Sequence, residues 1–549
     1  MLSNNNINNK YNKYNMKVRY IFSGLAVASL SLTSCVDLDT APEGSIITSD
    51  QKSEILETMP ERGAAGVRAI FQGMNVYAPN YDALGKVERH NDFGYGSIFY
   101  FTDANSSDVS SSTNGYNWSG NSLLYTDRPY TTYESQIVWN DHYQIIYAAN
   151  SVIAGYNVGE DPTDDEARFY YAQGLAARAY MYFNLAQLYQ FTYKGNETKP
   201  CVPIITDENS ADAATNGAPC ATVQEVYTQV CTDINHAVTL LENNSYQRSD
   251  KRYISLAVAY GIRARVNLVM QNWADAADDA QKAIDAAAAE GLAPASISDV
   301  SLPSFAHASD SNWMWGIIVA ETDDVVQTGI INWISHCGTF NYGYCQYSGG
   351  RQINKKLYNQ IPETDVRKGW WSGEDGQNAY LPEKYNTWLA SYDFPAYTSC
   401  KFDTYTGELG CDVNANDIVI MRVEEMYLIK AEAMAKAGQD GKSFLENFVK
   451  TYRNPSYTCT GDVQEAVYFQ KRIELWGEGQ IWFDAMRLNK GVDRRGGGFT
   501  PSAVFEIPAN SGLLLWRIPQ AEIEANPALT DEVNADRTVS TPDPVKDTE

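Results

Sequence analysis

Positive charge is what this 549-residue chain has least of: 42 Lys and Arg stand against 68 Asp and Glu, a formal net charge of -26. A phosphate-reading surface needs a clustered excess of basic residues, so nucleic acid is not an expected partner. Histidine is scarce, five in all, and no H-E-x-x-H pair occurs. The chain also lacks a G-x-S-x-G nucleophile elbow and the doubled C-x-x-C spacing of a zinc site. No catalytic residue, metal or cofactor is therefore expected. Long apolar runs are missing too: the best candidate, Tyr20 to Leu32, is too short to span a bilayer as a stable helix. What is abundant is aromatic, with 37 Tyr and 12 Trp. These residues offer wide, stiff, amphipathic contact area wherever the core does not consume them.

The apolar run follows Lys17 and Arg19 and leads into Leu32-Thr33-Ser34-Cys35. A basic start, an apolar stretch and a small-residue exit to cysteine is the order of a lipoprotein signal, with Cys35 as the acylated residue. Either Met1 or Met16 is the initiator, and residues 1–34 form the expected signal segment. Stable anchorage takes more than one acyl chain, palmitate being typical, so Cys35 would carry several. Eight cysteines remain. Cys201 with Cys220, Cys337 with Cys345 and Cys400 with Cys411 are near neighbours that could close short loops, and free buried thiols are the alternative.

From about 135 to 290 the pattern is helix after helix. Ala172, Ala176, Ala179, Phe183 and Ala186 share one face, and Val223, Val226, Val230, Ile234, Ala237 and Leu241 share another. Thr163 with Glu166 and Thr222 with Glu225 have capping-box spacing. Tyr260, Ala264, Trp273, Ala276, Ala280 and Ala283 are similar to a tetratricopeptide hairpin, although Asn267 sits where that repeat prefers an aromatic. A further helix is expected from Met421 to Ala437, and Leu513–Ile518 reads as a strand. Residues 81–133 and 300–415 are Gly-, Ser- and Asn-rich with dense aromatics, which suits long loops on a rigid scaffold.

The segment Phe469 to Gly491, FQKRIELWGEGQIWFDAMRLNKG, closely resembles the C-terminal signature of the SusD/RagB family, nutrient-binding lipoproteins of outer-membrane uptake systems in Bacteroidetes. Its periodicity reads as two helical pieces meeting at Gly477 and Gly479, with Lys471–Glu474 and Asp484–Arg487 spaced as surface ion pairs. Other segments carry the resemblance in order. VWNDHYQIIYAANSVI (138–153), GLAARAYMYFNLAQLY (174–189) and CVPIIT (201–206) resemble family segments, with Cys201 in place of a usual Gly. IVIMRVEEMYLIKAEAMAKAG (418–438) and LWRIPQAEIEANPAL (515–529) are similar to two more.

The resemblance implies a mainly α fold: a tetratricopeptide-like helical-repeat scaffold, about 50–290 and 418–490, with a long irregular loop-rich ligand region at about 300–415, in one domain spanning 35–549. It also implies a cell-surface, lipid-anchored outer-membrane protein that captures oligosaccharide, or less often peptide, for a SusC-like TonB-dependent transporter. The family's contact loops vary, so ligand residues are read from composition. Trp118, Trp333, Tyr342, Tyr344 and Trp370 are the expected glycan-stacking rings.

Other motifs are weaker. Asp412 to Asp417 begins like a calcium loop, but Asp417 stands where an EF-hand needs Gly and Val423 where it needs Glu. Gly441-Lys442-Ser443 mimics the end of a P-loop without the preceding strand. The rival class is a helical glycoside hydrolase, which needs two facing carboxylates. A protein-binding repeat scaffold is a third reading.

Overall fold

Helix hairpins form the scaffold. Tyr133–Tyr156, Asp165–Tyr189, Val223–Leu241, Leu256–Met270 and Trp273–Ala289 each pack against the next in chain order. The computed structural model describes residues 55–56, 61–75, 89–157, 159–537 and 540–548, so the signal segment, Met1, Met16 and Cys35 lie outside the described residues. Among the described residues no helix is long and apolar enough to cross a membrane.

Local chemistry sets the helix ends. Thr222 Oγ1 accepts the Glu225 N–H at 3.2 Å, and the Glu225 carboxylate accepts the Thr222 N–H at 2.7 Å, a complete capping box. One helix earlier the expected Thr163 cap gives way to Asp164, whose carboxylate accepts the Ala167 N–H at 3.0 Å. A carboxylate there also complements the positive end of the helix dipole, which a hydroxyl does not. In Trp273–Ala289 the buried stripe is Ala276, Ala280, Ala283 and Ala287, single methyls against which Val423–Lys436 packs. Asn267 departs from the repeat pattern because it reaches Asp279 of the facing helix, 2.9 Å away, where Arg263 also binds.

Residues 290–417 are inserted between Trp273–Ala289 and Val423–Lys436, so helices distant in sequence are neighbours in space. The insertion holds only short helices, Glu383–Ser391 being the longest at 9 residues. Antiparallel two-stranded ladders tie it down: Val109–Ser111 with Arg351–Ile353, and Trp313–Ile317 with Ile418–Arg422. Leu513–Ile518, expected as a strand, instead opens with a 3-10 turn at Gly512–Leu514. Its Trp516 N–H bonds the Leu188 carbonyl at 2.9 Å, satisfying an acceptor at a helix end that a ladder would have left open. All eight cysteines from Cys201 to Cys459 are free thiols, five of them buried, and none of the three candidate pairs is bonded.

The Phe469–Gly491 segment does bend where its glycines sit. Helix Val463–Glu474 ends, Gly477 and Gly479 take φ of +78° and +71°, and Ile481–Arg487 begins. A Cβ at Gly479 would also collide with the Phe99 ring. Its charges are not on the surface as the i,i+3 spacing suggested. Asp484 does pair with Arg487 at 2.6 Å, but both are buried, and Lys471 turns to Asp484 rather than Glu474.

Glu474, fully buried, accepts from Arg422 at 3.0 Å, Arg453 at 2.8 Å and Arg367 at 3.1 Å. Burial alone would raise its pKa, yet these three guanidiniums hold it well below the usual carboxylate range. Glu478 accepts from Arg422 and Lys401. Glu425 pairs with Arg265 and Glu432 with Arg487, each across two helices. Arg265 precedes the insertion and Glu425 follows it, so this lattice fixes how the two parts of the scaffold meet. Buried pairs add little net stability over a well-packed apolar core, but they tolerate only one register.

Candidate binding surface

One ladder places the site. Val109 pairs with Ile353 and Ser111 with Arg351, antiparallel, so the chain leaving Ser111 and the chain entering Arg351 emerge at the same end. The first is the loop carrying Tyr116 and Trp118. The second is the short helix Tyr344–Ser348, preceded by Tyr342.

Asn117 shapes the loop from within. It is buried, and its Oδ1 accepts from the Tyr100 hydroxyl at 3.0 Å and the Ser119 hydroxyl at 2.7 Å, while its amide reaches the Ser112 carbonyl. Tyr116, one residue away, is 61% exposed, and Trp118 on its other side is half-buried. Across from them Gly343 lies so close to Ser335 that a Cβ would clash. The Tyr344 N–H donates to Ser335 Oγ at 3.0 Å, which seats the short helix. The Tyr342 N–H bonds the Cys411 carbonyl at 2.9 Å, and Asn414 bonds the Tyr342 carbonyl at 3.0 Å.

The rings form a connected set. Tyr347, 56% exposed, has Tyr342, 44% exposed, edge-on at 6.2 Å and Tyr116 at 6.5 Å. Trp118 stacks on His90 at 4.8 Å and meets Tyr344 edge-on at 6.3 Å. Tyr344 in turn stacks on buried His336 at 4.8 Å and hydrogen-bonds His90. His336 Nε2–H donates to the His90 carbonyl at 2.7 Å, and burial pushes its pKa down to about 3, so this prop stays neutral. The Arg89 guanidinium lies 5.3 Å over Trp118 and is held by Glu134 at 2.9 Å. The result is a layer of exposed tyrosines over a second layer of aromatics and histidines.

Two of the five expected rings are elsewhere, and a third, Tyr344, is buried beneath the exposed layer. Trp333 is 2% exposed and packs edge-on against Phe402 at 4.9 Å. Trp370 is also 2% exposed: its indole N–H donates to the Val300 carbonyl at 2.8 Å and its face meets the Lys401 ammonium at 4.9 Å. Both belong to the core of the insertion. Tyr116 and Tyr347, more exposed than any of the five, were not singled out by composition. The available signal was spacing: Tyr344 and Tyr347 stand three apart in a helix bounded by Gly343 and Gly349, and Tyr116 follows an Asn-Gly turn.

The calcium-like segment has another use. Asp417 accepts the N–H groups of Ala308 and Val319, both at 2.8 Å, and Asn416 donates to the Asp403 carbonyl at 3.0 Å. These side chains fasten loop backbone. No group of His, Cys, Asp or Glu among the described residues is arranged to hold a metal ion.

Comparison with known proteins meets this geometry. A family described as starch-binding and associating with the outer membrane matches residues 83–268, and the SusD family matches residues 339–534. A SusD-like carbohydrate binding protein from Bacteroides vulgatus superposes with a TM-score of 0.69 at 24% identity, over 87% of this chain and 98% of its own. Surface glycan-binding protein A from Bacteroides thetaiotaomicron, solved with laminarihexaose, gives 0.59 at 17% identity, over 86% and 98%. The SusD-like protein P38 of Formosa agariphila is 28% identical over 97 residues, a match spanning 15% of this chain and only 19% of that relative's length. Those likenesses at low identity show the helical-repeat fold. The two family matches lie on either side of the insertion's first part and share the residues of the buried lattice: the chain belongs to the SusD/RagB family.

Proposed function

We propose that this protein is a cell-surface lipoprotein, anchored through Cys35 to the outer membrane, that captures an oligosaccharide and passes it to a SusC-like TonB-dependent transporter. The contact surface is Tyr116, Trp118, Tyr342 and Tyr347, with Tyr344 beneath them. The observation that carries this reading is the cluster of exposed tyrosines on a rigid aromatic base. Sugar rings present flat C–H faces, and phenol rings stack on them while their hydroxyls bond sugar hydroxyls. Each good ring contact adds about 0.5–1.5 kcal/mol beyond burial, so three give modest affinity, suited to capture and release. A family relative solved with laminarihexaose is consistent with the same ligand class.

The role is binding without turnover. Glu425, Glu432, Glu474 and Glu478 are all buried in ion pairs. Native affinity electrophoresis of the mature chain from Val36 onward, through gels holding plant, host and microbial polysaccharides, tests the reading. Retardation without depolymerisation is expected. Free migration through every gel would reject it, and release of reducing ends would favour a hydrolase.

A further inference from the structure

An open cleft among the described residues shares no residue with the aromatic surface. It measures about 650 Å³, within the range of small-ligand sites, and is walled by the Phe191–Lys199 loop, the turn before Trp273–Ala289, and the ends of Val423–Lys436 and Ile481–Arg487. Its lining holds Lys194, Lys199, Lys436 and Arg487 and not one carboxylate. In a chain of net charge -26 that is a local reversal of sign.

The four cations are not equivalent. Arg487 is already neutralised by Glu432 and Asp484, and Lys194 has Glu197 at 3.8 Å. Lys199 lies 5.4 Å from the Phe191 ring and Lys436 ends its helix exposed. Neither forms an ion pair among the described residues. Two segments more than 230 residues apart thus bring two unbalanced ammonium groups to one cleft. Beside them stand Gln271, Asn489 and Asn510, exposed amides whose side chains bond nothing among the described residues, and the half-buried Trp273. Cations select an anion, amides both donate and accept, and an indole offers a stacking face. A bare inorganic ion would use only the first.

We propose that this cleft is a second binding site, for an acidic sugar unit, a uronate or sulfated residue, with Lys199 and Lys436 as its charge-reading groups. The carboxylate or sulfate sits between the two ammonium groups, and the ring and its hydroxyls meet Trp273 and the amides. The site stands on its own lining, whatever the aromatic surface holds. It would make the protein a reader of acidic glycans, with one surface for sugar-ring faces and one for charge.

The test is isothermal titration of the mature chain with trigalacturonate, a heparin-derived tetrasaccharide, maltotetraose and inorganic sulfate. It is repeated on Lys199→Glu/Lys436→Glu, with thermal denaturation as the folding control. Binding of at least one acidic oligosaccharide is expected, weakened at least tenfold by the double reversal. Retention of neutral polysaccharide by the aromatic surface should be unchanged in that variant. Three results overturn the proposal: no acidic oligosaccharide binds, binding survives the double reversal, or inorganic sulfate binds as tightly as the sugars. Loss of acidic-sugar binding in Tyr116→Ala/Tyr342→Ala/Tyr347→Ala would also overturn it, by moving the ligand to the other surface.

Discussion

Around Glu474 the molecule buries charge, and around Tyr347 it exposes aromatic rings, so each region reverses the usual partition of side chains between core and water. The reversals have different causes. In the first, three guanidiniums share Glu474 and are balanced further by Asp365, Glu424 and Glu478, and each comes from a different segment: Arg367 from the insertion, Arg422 from the strand that closes it, Arg453 from the following hairpin. Charge there specifies assembly. In the second, the tyrosines rest on a second layer of rings and leave their outer faces free, which costs solvation unless something covers them. The comparison teaches that the family-like motifs mark where the fold is locked, whereas the candidate ligand surface lies in segments those motifs do not reach.

Breaking the lattice should have the largest effect. Glu474→Gln removes the charge that three buried guanidiniums share and leaves them only Asp365, Glu424 and Glu478 as carboxylate partners, with an expected loss of about 3 kcal/mol in chemical denaturation. Trp370→Ala should cost a similar amount, about 3–5 kcal/mol, through the cavity it leaves. If that variant lost glycan retention while keeping its denaturation midpoint, Trp370 would be a ligand contact and its assignment to the core would fail.

The opposite pattern is expected at the surface. Tyr116→Ala/Tyr342→Ala/Tyr347→Ala should lower glycan affinity by about 1.5–4.5 kcal/mol in total, with stability changed by no more than about 0.5 kcal/mol per site. A fall in stability without a fall in affinity would make these rings structural.

A smaller, pH-dependent effect sharpens the core side. Asp103 is buried, and burial, partly offset by Arg351, raises its pKa from 3.8 to about 7. The folded state therefore keeps a proton that the unfolded chain loses. Its contribution is complete below pH 3.8 and is lost as pH rises to about 7. Asp103→Asn should flatten the decline in unfolding free energy over that window, by up to about 4 kcal/mol at its upper end and less with relaxation. A wild-type profile flat from pH 4 to pH 7 would contradict the shift.

Much of the scaffold was legible because it is local. The Thr222–Glu225 box, the alanine stripe of Trp273–Ala289 and the glycine bend at 477–479 are each written within a few residues. Asn267 looked like a defect and is a hydrogen bond to the next helix, visible only once Asp279 is opposite it. The i,i+3 charges of the C-terminal segment were misleading for the same reason: spacing identifies a possible partner, and depth decides whether Arg422 is a better one. Site residues were harder. Trp333 and Tyr347 sit in stretches of similar composition, and what separates buried from exposed is the pairing of Val109–Ser111 with Arg351–Ile353, some 240 residues away. No local pattern encodes that contact.

The central claim is that ligand recognition lies on the exposed tyrosines and not in the buried charged core. Migration of wild type and Tyr116→Ala/Tyr342→Ala/Tyr347→Ala through the same retarding polysaccharide gel, with melting temperatures matched, tests it most directly. The account predicts that the wild type is retarded and the variant runs as in a gel without polysaccharide. Equal retardation of both proteins would contradict it.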